Sequence, residues 1–469
     1  MARRFRRLAA AAAAFVVAGA LALPATAAHA APGGYTPSSR EWWMSNWSVP
    51  QKVWPVTEGA GVTVAVLDGG VQASIPDLRG VVESGADMLG DPGNGEQDYV
   101  PDGGHGTAVA TLIAGQGIGV GPVGIAPRAK ILPVHVIVPS TDMTPVANGI
   151  RYAVDHGAQI INMSLGATVP TATTCDPAEQ QAVAYALAHN VVVVAASGDV
   201  NKSGTSPEEP GTCAGVLTVG GVEPNGSLWQ YSTQGPQVSV AAPSDHMFTV
   251  NSNGRQYTVG SSGTSLSAPL VSGAAALIRS EYPSMPWYTV VQRLIDTAIP
   301  QGSVPNNQFG YGILDVSRAV NASAYPVTAS APNPVYARYQ AWLKTPAGQQ
   351  FAAQNGISTG PSTGTGAQAG PSAMAKPSSG GSGTLTFVLI AVLVVVVLVV
   401  VIGGGLAFFL ISRNRTRRGP RHPGGPGGGY GPPSGYGPPP GQYPQQGQYP
   451  PPGQYPPYQP AQQYPPPRQ

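Results

Sequence analysis

Apolar runs and helix-like segments alternate along the middle of the chain. The run 62–67 is almost continuously apolar, which is typical of a parallel strand buried on both faces. Because such runs alternate with helical patterns of about ten residues, we expect an α/β fold, a doubly wound and mainly parallel sheet with helices on both faces. The pattern predicts further strands at 129–138, 159–163, 191–196, 216–219 and 238–241, and helices at 145–156 and 177–189.

Two polar residues stand beside glycines at the ends of such segments. Asp68 ends the first strand, and the carboxyl ends of central strands are where α/β sheets place their sites. The same residue before two glycines can also form only a turn. His105 lies between glycines ahead of the apolar stretch 108–114, where its imidazole is accessible and can act as a proton shuttle. A lone histidine is more often structural or exposed.

Ser265 lies in the heptapeptide GTSLSAP, directly before the apolar run 270–278. The run predicts a buried helix with Ser265 at its N-terminus, where unpaired N–H groups and the helix dipole favour developing negative charge. That position suits a nucleophile whose attack creates an oxyanion. The heptapeptide alone is equally consistent with a helix cap.

Three sequence blocks together have a familiar order. DGGV with Asp68, HGTAVA with His105 and GTSLSAP with Ser265 resemble the catalytic blocks of the subtilisin-like serine proteases. The resemblance implies that Ser265 attacks a peptide carbonyl, that His105 takes and returns the proton, and that Asp68 fixes the imidazole tautomer.

The resemblance also implies where a substrate binds. An extended substrate would pair with one chain segment by main-chain hydrogen bonds, and a second segment would form the opposite wall of the specificity pocket. The first segment is Ser164, Leu165 and Gly166, and the second includes Ala196, Ser197 and Gly198. Small residues in both segments leave room for a substrate side chain without defining which one. We predict no cofactor and no bound metal.

One residue departs from the family pattern. Subtilases usually carry asparagine as the last residue of an AAAGN block, where it is the oxyanion-hole donor, whereas this chain reads AASGD with Asp199 at that position. An ionised carboxylate cannot donate a hydrogen bond, and a protonated one can. We therefore predict a slow or acid-favouring protease. The alternative is a degenerate enzyme that keeps the fold.

Charge and export signals restrict the partners and the cellular location that the sequence predicts. Residues 31–315 carry ten Lys or Arg against 22 Asp or Glu, a net charge of about −12, which argues against a nucleic-acid partner. Residues 1–30 combine four arginines, an Ala/Val/Leu stretch and Ala-His-Ala, which predicts a cleaved secretory signal, with an uncleaved anchor as the alternative. In an oxidising compartment we expect Cys175 and Cys213 to form a disulfide, with two free buried thiols as the alternative.

The remaining segments complete the predicted layout. We expect a Trp-rich extension, 31–60, to pack onto the catalytic domain 61–320. A Pro/Ala/Ser/Gly-rich linker, 321–384, follows the domain. A short helix around 334–352, within this linker, is compatible with the sequence. Residues 385–411 carry no charge and can span a membrane. Four arginines follow at once, which predicts that the Pro/Gly/Gln/Tyr-rich tail 412–469, read as disordered, is cytoplasmic.

This layout resembles that of the mycosins, the membrane-anchored proteases of type VII secretion systems. The resemblance implies a single-pass protein of the cell membrane with its protease domain outside. It also implies exported polypeptides as substrates and channel components of the secretion system as possible partners.

Overall fold

The computed structural model describes residues 34–90, 93–99, 104–118, 121–137, 142–168, 175–200, 208–254, 257–327 and 333–357. The strands are β1 Thr63–Asp68, β2 Ala86–Asp87, β3 Lys130–His135, β4 Ile160–Met163, β5 Ala167–Thr168, β6 Val192–Ala196, β7 Glu208–Glu209, β8 Leu217–Val222, β9 Val238–Pro243, β10 Met247–Val250 and β11 Tyr257–Ser261. The α-helices are α1 Trp42–Asn46, α2 His105–Ala114, α3 Thr144–Asp155, α4 Pro177–Ala188, α5 Thr264–Glu281, α6 Trp287–Asp296, α7 Val316–Val320, α8 Pro334–Leu343 and α9 Pro346–Gln354.

Seven strands form one sheet in the order β2-β3-β1-β4-β6-β8-β9. Every neighbouring pair is parallel, so the predicted α/β fold with a mainly parallel sheet is confirmed. The six predicted strands and the predicted helices lie within a few residues of the observed ones. The two-residue strands β2, β5 and β7 were not predicted, because so few residues give no periodicity. The antiparallel hairpin β10–β11 was not predicted either.

Tryptophans attach the N-terminal extension to the domain, as the sequence predicts. Trp47 donates its indole N–H to the carbonyl of Leu314 at 2.9 Å, and Trp54 donates to Ile125 at 3.0 Å. Both rings are buried. Each indole thus buries a large apolar surface while its polar atom keeps a hydrogen bond.

The folded part of the chain continues beyond the predicted domain boundary at residue 320. Within the predicted linker 321–384, helices α8 and α9 pack on the domain. Val335, Tyr339 and Leu343 recur every four residues and are buried on one face of α8. Arg338, on the same helix, donates to the carbonyl of Val216 at 2.9 Å. The short helix that the sequence allows around 334–352 is thus present as two helices within the predicted linker.

Several predicted segments lie outside the described residues, namely the signal peptide 1–30, the membrane span 385–411 and the tail 412–469. Among the helices that the structure describes, none combines the length and the apolar character needed to cross a membrane.

Cys175 and Cys213 form a disulfide, as predicted, across 38 residues of sequence. The bond joins the start of α4 to the segment after β7. The carboxyl group of Glu179 lies 3.7 Å from the sulfur of Cys213. Burial, reinforced by the nearby carboxylates of Glu209 and Asp176, raises the pKa of Glu179 well above its ordinary value.

Removing this disulfide is expected to lower the free energy of unfolding by about 4 kcal/mol, because the open loop regains conformational freedom in the unfolded chain. Guanidinium unfolding of the wild type and of Cys175→Ala/Cys213→Ala measures the difference. A reductant should destabilise the wild type similarly and leave the double variant unchanged. Equal stability of the two proteins without reductant would contradict the prediction.

Candidate active site

Asp68 and His105 meet at the carboxyl edge of the sheet. Asp68 is the last residue of β1 and is fully buried, and His105 is the first residue of α2. Both carboxylate oxygens lie 3.0 Å from His105 Nδ1. The backbone N–H of Gly69 also donates to Asp68 Oδ1 at 2.8 Å. A buried carboxylate requires such partners, and they fix its orientation toward the imidazole.

Glycines explain how α2 approaches Asp68 so closely. A side chain at Gly106 would overlap the carbonyl of Gly70 and place its Cβ 3.0 Å from the Cβ of Asp68. Gly104 has a φ of 105°, and a side chain there would lie 2.6 Å from the Cβ of Ser252. The glycines on both sides of His105 therefore allow the close approach that the sequence pattern suggests.

Ser265 is the second residue of α5, as predicted. Its carbonyl would ordinarily accept the N–H of the residue four positions on, but Pro269 has no N–H. Ser164 Oγ donates to this carbonyl instead, at 2.7 Å. The proline of GTSLSAP thus frees an acceptor that joins α5 to the segment after β4.

A buried polar network extends this connection. Asn162 Nδ2 donates to Ser164 Oγ at 3.0 Å, and Ser272 Oγ donates to Asn162 Oδ1 at 2.9 Å. Asn162 and Ser272 are fully buried. Neither residue was predicted from the sequence as part of the site. Each is a polar residue within an apolar segment, Asn162 in a strand and Ser272 in a helix. Because burying a polar group without a partner is costly, such a residue indicates a buried hydrogen bond.

Asp199 lies beside Ser265. Its Oδ1 accepts hydrogen bonds from the backbone N–H of Thr264 at 3.0 Å and from the Thr264 hydroxyl at 2.9 Å. A Cβ placed on Gly263 would lie 3.0 Å from Ser265 Oγ and 3.3 Å from Asp199 Oδ2. The serine hydroxyl and the second carboxylate oxygen therefore border the same small space.

The two segments predicted to form the pocket walls follow two neighbouring strands of the sheet. Ser164, Leu165 and Gly166 follow β4, while Ala196 ends β6 and precedes Ser197 and Gly198. β4 and β6 are parallel neighbours, so both walls lie at the edge that carries Asp68. The backbone N–H of Gly198 donates to the Thr264 hydroxyl at 3.2 Å, which joins the second wall to α5. All the residues predicted from the sequence for the site thus gather at one edge.

A buried aspartate paired with a partly exposed histidine and a serine at a helix N-terminus, all at one edge of an α/β domain, are typical of the serine hydrolases. The sequence model of the subtilase family matches residues 59–312. Thermitase of Thermoactinomyces vulgaris is 37% identical over 53% of this chain and 86% of its own length. The thermostable alkaline protease of Halalkalibacterium halodurans is also 37% identical, over 56% of this chain and 68% of its own length. The chain belongs to the subtilase family and is a serine peptidase.

Two solved structures are similar to this one. The MycP3 protease from the type VII (ESX-3) secretion system is 30% identical with a TM-score of 0.55, and the match covers 62% of this chain and 90% of that one. MycP1 with its N-terminal propeptide removed is 28% identical with a TM-score of 0.54, covering 61% and 98%. The chain thus has mycosin proteases as structural neighbours.

Proposed function

We propose that this chain is an endopeptidase that cleaves exported proteins through Asp68, His105 and Ser265. The observation that carries the proposal is the contact of both Asp68 carboxylate oxygens with His105 Nδ1 at 3.0 Å. With Nδ1–H held by the carboxylate, the other ring nitrogen is the acceptor. His105 can then take the proton of Ser265 while Asp68 stabilises the imidazolium that forms.

In this mechanism the Ser265 hydroxyl attacks the carbonyl of the scissile peptide bond. The resulting oxyanion forms beside the first turn of α5, where backbone N–H groups lack acceptors within the helix and the helix dipole favours negative charge. His105 then returns the proton to the leaving amine. Water attacks the acyl-enzyme by the same proton transfers in reverse, which releases the second product.

Extended substrate would pair with Ser164, Leu165 and Gly166, with its side chain between this segment and the wall of Ala196, Ser197 and Gly198. The hydrogen bond from Ser164 to the carbonyl of Ser265 supports this assignment, because it holds the substrate segment and the nucleophile in one unit. A fixed distance between them positions the scissile carbonyl for attack.

We further propose that the protein is anchored by residues 385–411 in the cell membrane with its catalytic domain outside, and that it serves a type VII secretion system. Similarity to MycP3 over 90% of that protease supports the secretion role. The uncharged segment followed by arginines supports the anchor and its orientation.

Asp199 favours a second candidate function, that of a low-activity subunit with a structural role in the secretion complex. Its carboxylate stands where the family usually has a hydrogen-bond donor, next to Ser265 Oγ. An ionised carboxylate at that point would repel the oxyanion.

A fluorophosphonate probe separates the two functions, because it reacts only with an activated serine. We expect the folded domain to be labelled on Ser265, identified by peptide mass spectrometry, and Ser265→Ala and heat-unfolded protein to remain unlabelled. If the folded wild type is not labelled at any pH between 5 and 9, the endopeptidase function is wrong and the structural role in the secretion complex is favoured. Comparing secreted proteins of a Ser265→Ala strain and a deletion strain then separates proteolysis from scaffolding.

A further inference from the structure

A buried carboxyl group lies against the disulfide. Glu179 is fully buried, and its Oε2 lies 3.7 Å from the sulfur of Cys213 and 4.0 Å from that of Cys175. The sulfurs of a disulfide carry no proton, so neither contact is a hydrogen bond. Among the residues that the structure describes, Glu179 Oε1 has no hydrogen-bond partner either. Because burying a polar group without partners is costly, the position of Glu179 indicates a role beside the two sulfurs.

The helix α4 dictates where this carboxyl group lies. Asp176 caps the helix and accepts the backbone N–H groups of Ala178 at 2.8 Å and of Glu179 at 3.1 Å. Helical side chains lean toward the N-terminus, so a residue covers the one four positions before it. Glu179 is four positions after Cys175, which brings its carboxyl group to the disulfide.

A second contact holds the two cysteines together independently of their bond. Gln180, the next residue of α4, accepts the backbone N–H of Ala214 at 2.6 Å and donates to its carbonyl at 3.0 Å. Ala214 directly follows Cys213, so these two hydrogen bonds keep Cys213 against α4. We therefore expect the two sulfurs to remain close when the disulfide opens, which makes the opening reversible.

The two cysteines differ in their access to solvent. Cys175 is half-buried, whereas Cys213 is fully buried. Thiol–disulfide exchange begins when a thiolate attacks one sulfur and the other sulfur leaves as a thiolate. An external thiol reaches the side of Cys175, so Cys213 is the leaving group. A thiolate at this buried position is poorly solvated and requires a proton.

The surroundings of Glu179 favour its protonated form. Burial is the main cause, and the carboxylates of Glu209, on β7, and of Asp176, before α4, add to it, so the pKa of Glu179 is raised well above its ordinary value. A neutral carboxyl group carries one O–H, which is the donor that the leaving sulfur requires.

We propose that Cys175 and Cys213 form a reducible thiol–disulfide exchange site in which Glu179 is the proton donor. The reactant is an external small thiol. Its thiolate attacks Cys175 Sγ and forms a mixed disulfide there, while the electron pair of the broken bond goes to Cys213 Sγ, which takes the carboxyl proton of Glu179. A second thiol then attacks the mixed disulfide and releases Cys175 and an external disulfide. The site does not depend on the proposed peptidase function.

Reduction of the folded full-length chain by glutathione tests the proposal, with free thiols trapped by alkylation and counted by mass spectrometry. Glu179→Gln keeps the shape of the side chain and loses the acidic proton. We expect this variant to open at least about tenfold more slowly per glutathione thiolate, because general acids contribute 10²-fold or more in favourable sites. In the wild type the same rate should fall between pH 6 and pH 9 as Glu179 loses its proton, whereas the rate of the variant should stay constant.

Glu209→Gln is the matched control. It changes a second buried glutamate near the same disulfide, and its amide oxygen can still accept the backbone N–H of Asp176. It should slow the opening far less than Glu179→Gln does. Equal slowing in both variants would overturn the role of Glu179, as would a wild-type rate per thiolate that does not change with pH. If Glu179→Gln does not fold, this wild-type profile alone decides.

Single-cysteine variants test which sulfur is attacked. Cys213→Ala leaves Cys175 as a free thiol, which should form a mixed disulfide when the folded protein meets glutathione disulfide. Cys175→Ala leaves only the buried Cys213, which should react at least about tenfold more slowly because it is inaccessible. Faster reaction of Cys213 would overturn the proposed order of steps. A reduction rate that does not depend on the glutathione concentration would also overturn it, because the bond would then open only after unfolding.

Discussion

Replacing Asp199 with asparagine is expected to raise kcat by about 10²- to 10³-fold at neutral pH, the size of the loss when one oxyanion-hole donor is removed from subtilisin. The contacts of Asp199 define how the amide would orient. Oδ1 accepts two hydrogen bonds from Thr264, and the amide oxygen of Asn can keep both. The NH₂ group would then take the place of Oδ2, beside Ser265 Oγ and facing the developing oxyanion.

The pH profile gives an independent readout of the same substitution. An aspartate donates a hydrogen bond only in its protonated form, whereas asparagine donates at every pH. The gain from Asp199→Asn should therefore be largest where the carboxyl group is ionised, and the two profiles should converge only where it is protonated. Peptide hydrolysis between pH 5 and 9, normalised to titrated active sites, measures both effects.

A charge-matched control is available on α3. Asp155→Asn removes an exposed carboxylate at the end of that helix and should change neither the rate nor the profile. If Asp199→Asn behaves like Asp155→Asn, Asp199 does not face the oxyanion. The assignment would then be wrong even though the protein remains a peptidase.

Replacing Asp68 with asparagine is expected to lower kcat by about 10⁴-fold, the magnitude measured for this change in chymotrypsin-type enzymes. Asp68 accepts from both Gly69 N–H and His105 Nδ1. An amide has one acceptor, and if Gly69 retains it, the NH₂ group faces Nδ1. The imidazole must then carry its proton on the other nitrogen and cannot take the proton of Ser265. Stopped and continuous peptide assays at saturating substrate measure the loss.

Asp87 offers a matched control for this experiment. Its side chain contacts His135 Nδ1 at 2.6 Å at the ends of β2 and β3, which gives the same sheet a second Asp–His pair. Asp87→Asn should reduce stability without a loss of kcat comparable to that of Asp68→Asn. Equal kinetic effects of the two substitutions would show that Asp68 acts through the fold and not through the proton transfer.

Part of the fold and part of the candidate site could be predicted from the sequence. The position of Asp68, His105 and Ser265 at one edge could be predicted from the sequence, because Asp68 ends an apolar strand while His105 and Ser265 precede apolar helices. A parallel sheet brings the carboxyl ends of its strands to one edge. The apolar periodicity likewise predicted the sheet. His135 lacks the flanking glycines, so its pairing with Asp87 gave no signal.

Other features depended on contacts that no local pattern encodes. Glu179 is 34 positions from Cys213, so only the packing of α4 against the segment after β7 brings the two together. A short helix around 334–352 was compatible with the sequence, and the spacing of Val335, Tyr339 and Leu343 carries the helical period. The Pro- and Ala-rich composition of the whole segment gave no sign that this helix packs on the domain.

The hydrogen bond between Ser164 and the carbonyl of Ser265 joins residues 101 positions apart, and the bond between Asn162 and Ser272 spans 110. Contacts of such long range form only after both parts of the chain have docked. A chain that is still emerging from the ribosome presents Asp68 and His105 well before α5 exists. The arrangement that brings these two residues and Ser265 to one edge of the sheet is therefore completed only at the end of folding.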